Sequence, residues 1–156
     1  MSRNERGLTL IEVLIAVAIL SIIGVIIWNV FYQGYSYSKK ATSRNSMQQE
    51  TNILITNLKK IHQSNINYTI KSSNCDITVT YQKDPTSTAQ TQIFSHSQIC
   101  FKLEIIVDSI NQGAGPINIQ PNKSDITLNI NTSDKNNPGN NLTISTFLYR
   151  MKGVGY

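Results

Sequence analysis

The chain has 156 residues and a formal net charge of +5, a length that holds one modest domain plus an anchor and excludes two substantial domains. Its lysines are scattered apart from Lys39-Lys40 and Lys59-Lys60, so the positive balance makes no basic stripe of the kind that marks a nucleic-acid footprint. Asn, Ser and Thr crowd the second half, which suits a solvated extracytoplasmic surface.

The chain opens on Met1-Ser2-Arg3-Asn4-Glu5-Arg6-Gly7, a short basic leader ending in glycine, and continues as an apolar run from Leu8 to Trp28. As a helix this run spans roughly 31 Å at 1.5 Å per residue, close to the hydrocarbon core of about 30 Å. Trp28, Phe31 and Tyr32 sit where an aromatic interface belt belongs, and Arg3 and Arg6 mark the near side as cytoplasmic. A secretory signal cut after Ala16-Val17-Ala18 is disfavoured, because the apolar run continues through Ile27 where a cleavage region turns polar. A buried helix of a soluble domain is disfavoured too, because the run has no polar face.

Glu12 is the exception inside this run. A charge at the bilayer centre costs about 2.5–3.5 kcal/mol, so such residues are kept for a reason. In lipid a carboxylate needs a partner or a proton. Cleavage after Gly7 creates a positive amine at Leu8, one helical turn before Glu12 and near the same face. The pairing amine is either the chain's own or that of an adjoining subunit, and the sequence leaves both open. An intermolecular pair fixes axial register, the best-attested use of a buried polar group. Thr9 either back-bonds to the helix or sits at the interface, and the latter is favoured. Ser21 and Gly24 leave room for close helix approach, but Ala16, Ala18 and Gly24 make no clean small-xxx-small pattern, and ordinary small residues of a membrane helix are the favoured reading.

Gly7-Leu8-Thr9-Leu10-Ile11-Glu12-Val13-Leu14-Ile15 closely resembles the N-terminal signature of type IV prepilins and of the pseudopilins of type II secretion and competence systems. The resemblance implies cleavage between Gly7 and Leu8 by a prepilin peptidase, methylation of the new Leu8 amine, and an intermolecular partner for Glu12. Leu8 departs from the commoner phenylalanine at that position. Asn29 stands where many major pilins have a proline, which favours a minor-pilin or pseudopilin role. The implied partners are other pilin or pseudopilin subunits, the peptidase, and an inner-membrane assembly platform with its ATPase. The implied location is the cell membrane, with the N-terminus cytoplasmic and the head outside, and then a surface filament.

No proline interrupts residues 29–84, so the helix continues past the membrane. Residues 36–46 are polar all round, and from Met47 the chain turns amphipathic, with Met47, Thr51, Leu54, Leu58 and Ile61 spaced to pack on a sheet. After His62 the period becomes alternating. Ile66–Ile70, Ile77–Tyr81, Gln92–Ser95 and Ile99–Val107 read as strands, and Ile117–Gln120, Ile126–Ile130 and Leu142–Tyr149 as short or edge strands. Asp84-Pro85, Gln112–Pro116 and Asn136-Asn137-Pro138-Gly139 are turns. The expected class is α+β, a long N-terminal helix packed on a C-terminal antiparallel sheet. The expected organisation is a leader (1–7), a membrane or filament-core helix (8–28), an amphipathic helix (29–63) and a β-rich head (64–156).

Cys75 and Cys100 both fall beyond the anchor, where an oxidising compartment permits a disulfide; they form either a bridge or two reduced thiols. His62, Cys75, His96 and Cys100 lack the paired spacing of a zinc site. Asp134, Asn136, Asn137, Asn140 and Asn141 offer oxygens without the spacing of a calcium loop, and read as a solvated turn. No phosphate loop, zincin helix, nucleophile elbow or paired-carboxylate motif appears, so neither an enzyme, a metal nor a cofactor is expected. The leading expectation is a structural filament subunit. The alternatives are a DNA- or ligand-binding tip subunit using Lys71, Lys83, Lys102 and Lys123, and an unprocessed membrane-anchored domain.

Overall fold

The computed structural model describes residues 9–107, 109–113 and 115–150. The chain divides into two compact units, residues 1–41 and 42–156. One helix, α1 (Leu10–Ser64), supplies most of the first unit and enters the second. Its continuity follows from composition: no proline falls within it, and its glycines are confined to Gly24 and Gly34, each costing only about 1 kcal/mol relative to alanine.

In the first unit every described residue is exposed, from Thr9 through Ala41. The apolar run is therefore no part of a core formed by this chain. Leaving one such Leu, Ile or Val in water costs roughly 1.5–3 kcal/mol, so the run as a whole requires lipid or other helices around it.

In the second unit α1 buries Met47, Thr51, Leu54, Leu58, Ile61 and His62, the stripe its spacing predicts. The helix stops at Asn65, whose backbone N–H (3.1 Å) and side-chain amide (2.9 Å) both donate to the Ile61 carbonyl. The Arg150 guanidinium donates to the Asn65 carbonyl at 2.9 Å, placing a cation where the helix dipole favours one.

Eight strands follow: β1 (Asn67–Ser73), β2 (Asp76–Gln82), β3 (Gln90–Phe94), β4 (Ile99–Val107), β5 (Ile110–Asn111), β6 (Ile117–Ile119), β7 (Ile126–Asp134) and β8 (Asn141–Leu148). They form two antiparallel four-stranded sheets, ordered β3-β2-β1-β6 and β5-β4-β7-β8, where the sequence pointed to one. The α+β class holds, with the helix packed on two sheets. Tyr68, Ile70, Ile77, Val79, Ile99, Phe101, Leu103, Ile105, Ile119, Ile126, Leu128, Ile130 and Leu148 complete the core under the helical stripe. Alternation identifies the buried face of a strand but not its neighbour, which is why the split into two sheets is invisible to it.

The strand at residue 126 differs from its expected form. β7 is central and runs nine residues to Asp134, whereas its apolar alternation ends at Ile130. The inward positions beyond that point are polar: Thr132 Oγ1 meets Thr51 Oγ1 at 2.8 Å, and Asp134 Oδ2 accepts the Ser43 hydroxyl at 2.6 Å. Hydrogen bonds to the helix replace apolar contacts there, so a hydrophobicity pattern stops short of the strand's end. The two-residue β5 carries no sequence signal of its own.

Asn74 (φ 51°) and Cys75 (φ 69°) both have positive φ between β1 and β2, the two-residue type I′ geometry that joins antiparallel strands. Asparagine tolerates this region and cysteine does so at a cost. Cys75 is held there by a disulfide to Cys100 in β4 and by its carbonyl, which accepts the Phe101 N–H at 3.1 Å. The bridge thus ties the first sheet's tightest turn to the second sheet across 25 residues of chain. Replacing both cysteines by serine is expected to lower the unfolding free energy of the head by about 3 kcal/mol. Urea denaturation of the detergent-solubilised chain measures this as a lower midpoint with a steeper slope, because the unbridged unfolded chain exposes more surface.

Candidate functional site

Thr9 and Glu12 lie together at the start of α1. The Thr9 backbone N–H and hydroxyl each donate to Glu12 Oε2 at 2.9 Å, and the Glu12 N–H approaches Thr9 Oγ1 at 3.4 Å. The Glu12 N–H also donates to the Thr9 carbonyl at 3.1 Å. This is a reciprocal capping box, Thr at the N-cap and Glu three residues on, each satisfying a donor that the helix end leaves over. Thr9 therefore caps the helix, a local bond of the kind its side chain offers. The pattern Thr-x-x-Glu ahead of an apolar run is the sequence signature of such a cap. Gly7 and Leu8, the expected cleavage pair, lie outside the described residues.

Further along the apolar helix the polar side chains also satisfy themselves locally. Ser21 Oγ donates to the Val17 carbonyl at 2.8 Å and Asn29 Nδ2 to the Val25 carbonyl at 3.1 Å. Back-bonding of this kind hides a polar group from lipid. The helix is long and apolar enough to cross a membrane, and Trp28, Phe31 and Tyr32 are exposed at its aromatic end.

The head carries two polar clusters. In the first, the Asn140 side chain, 4% exposed, donates to Ser43 Oγ at 3.1 Å while Ser43 donates to Asp134. Asp134 Oδ1 accepts the Asn136 N–H at 2.8 Å. Lys135 ties the same turn to the β3–β4 connection through its N–H to the Gln98 carbonyl (2.8 Å) and its Nζ to the His96 carbonyl (2.7 Å). Asn136, Asn137 and Asn141 are exposed, as expected of a solvated turn, whereas Asn140 is buried and the turn is fastened to the helix through Ser43. Partners so distant in sequence leave no local signal.

In the second cluster His62 is fully buried, and its Nδ1 lies 2.7 Å from the Tyr68 hydroxyl, the rings meeting edge-on. His62 Nε2 has no hydrogen-bond partner among the described residues. Burial pushes the His62 pKa below its ordinary value; Asp125 opposes this and Arg150 adds to it. Burial likewise raises the Tyr68 phenol far above its ordinary range. Both groups are therefore neutral in the folded head at neutral pH, paired with each other across the helix and β1.

Cys75 and Cys100 are joined to each other. Among the described residues no group of three or more His, Cys, Asp or Glu is placed to hold a metal ion. Lys71, Lys83, Lys102 and Lys123 are exposed but sit on β1, after β2, on β4 and after β6, elements of two different sheets.

Residues 2–28 match the family model described as the prokaryotic N-terminal methylation motif. No curated protein and no solved structure gives a significant match. The chain carries a type IV pilin-like prepilin signature, and that signature goes with a structural, membrane-anchored subunit that assembles with others of pilin type.

The buried neutral His62 fixes the pH response of the head. In the unfolded chain histidine titrates near 6.5, above its value in the fold, so the unfolded state takes up the proton first as pH falls. Stability is full above about pH 6.5 and declines as pH drops through the interval between the two values. Urea midpoints measured from pH 7.5 to 5 are expected to fall, and His62→Leu is expected to flatten that decline.

Proposed function

We propose that the chain is a minor pilin or pseudopilin, cut between Gly7 and Leu8 by a prepilin peptidase, methylated on the Leu8 amine, and built into a filament through α1. The observation that carries this reading is the Thr9–Glu12 capping box at the head of a fully exposed apolar helix, immediately downstream of a basic leader ending in glycine. Every atom of that box belongs to residues retained after cleavage.

The chemistry follows from solvation. The capping box engages one oxygen of the Glu12 carboxylate, which lowers the cost of holding it in lipid. The other oxygen has no hydrogen bond among the described residues. In the filament it accepts from the Leu8 amine of a neighbouring subunit, and the pair sets axial register because no other site along the apolar surface offers a charge. The leader stays cytoplasmic and the head lies outside, where the Cys75–Cys100 bridge is stable. An inner-membrane platform and its ATPase drive subunit addition. The work is structural: nucleating, capping or decorating the fibre.

Mass spectrometry of the chain from a host with active peptidase is expected to show a terminus at Leu8 bearing one methyl group. An intact Met1 contradicts processing and leaves a tethered surface domain. Glu12→Ala is expected to insert into the membrane normally while its recovery in sheared filaments falls at least about tenfold, the loss that corresponds to 1.4 kcal/mol. Undiminished recovery contradicts the pairing role.

A further inference from the structure

Each of the two sheets has two edges, and they are guarded unequally. β5 and β6 are two and three residues long, too short to recruit another strand. β8 runs eight residues, Asn141–Leu148, and β3 runs five, Gln90–Phe94. Neither contains a charge, a proline or a glycine, the features with which proteins blunt an exposed edge. Among the described residues no strand pairs with the outer side of either.

β8 also looks unfinished on its inner face. Leu142 and Ile144 remain half-buried, whereas Leu128 and Ile130 on the adjoining β7 are fully buried. The inner face of β3 shows the same gap, with Gln92 and Phe94 half-buried. On the outer faces the two edges carry Phe147 and Ile93, 55% and 62% exposed. A strand laid against either edge would cover its half-buried inner side chains and bring Phe147 and Ile93 onto one surface. The fit requires an uncharged, alternating partner strand, and each edge is such a strand for the other.

We propose that β8 of one copy pairs with β3 of a second copy, so that heads join edge to edge by strand addition. The contact is heterologous: each chain offers one β8 edge and one β3 edge, and such contacts propagate into open helical arrays instead of closing as dimers. The inference rests on the filament reading for its geometry, since subunits in a fibre are related head to tail.

The test uses two differently tagged populations of the full chain, co-expressed with the assembly machinery. One carries Thr143→Cys or Ser145→Cys, the other Thr91→Cys or Ile93→Cys, all on outward-facing positions; the native cysteines are occupied by their own bridge. Mild oxidation is expected to give a disulfide dimer bearing both tags. Filaments that contain both populations without the mixed dimer overturn edge pairing while leaving the filament reading intact. Dimers formed only between copies of the β8 variant overturn it in favour of a two-fold contact. If neither population enters filaments, the filament reading fails, and the membrane fraction decides the edge contact by the presence or absence of the same mixed dimer. Adding Ser145→Lys to the Thr143→Cys population is expected to reduce the mixed dimer at least about tenfold with an unchanged urea midpoint. An undiminished yield contradicts the proposal.

Discussion

The first unit of this chain is a helix clothed in Leu, Ile and Val that its own fold leaves uncovered, and that exposure governs the rest of the molecule. Residues 9–41 are exposed along their whole length, yet each large apolar side chain loses roughly 1.5–3 kcal/mol in water. The total far exceeds the 5–15 kcal/mol by which a domain is ordinarily stable. Such a segment exists only in a bilayer or among other helices. A single subunit in the membrane and a subunit in a fibre are two ways of meeting the same requirement.

The polar atoms of the apolar segment obey that constraint. Ser21 and Asn29 return their side chains to carbonyls one turn back, and Thr9 and Glu12 satisfy each other. A neutral side chain can be hidden fully in this way; a carboxylate cannot, since its charge persists after its hydrogen bonds are made. Glu12 thus stays the one group in the segment whose environment improves when a cation approaches. In the head the same chemistry runs between elements. Thr51 with Thr132, and Ser43 with Asp134 and Asn140, tie α1 to β7 and its following turn, while the disulfide joins the two sheets.

Those features that rest on local periodicity were legible in the sequence. The stripe Met47, Thr51, Leu54, Leu58, Ile61 recurs every three or four residues and is buried as read, and the strands at 77 and 99 alternate cleanly. Features set by distant partners were not. The division into two sheets and the central place of β7 depend on which strands pair, and the polar end of β7 and the burial of Asn140 depend on far-off helix partners, Thr51 opposite Thr132 and Ser43 beside Asn140. Thr9 is a third kind of case: its capping pattern is local and was present, but the cost of a charge in lipid is a larger energy than a cap, and the larger effect hid the smaller. Both act on the same carboxylate.

The central claim is that this carboxylate meets the terminal amine of another subunit. Zero-length carbodiimide coupling tests it directly, in filaments assembled from a mixture of isotopically heavy and light chains. The account predicts an amide joining Leu8 to Glu12 in which the two peptides carry different isotopes. Coupling found only within peptides of one isotope, or no Leu8–Glu12 amide in filaments that contain both, contradicts it.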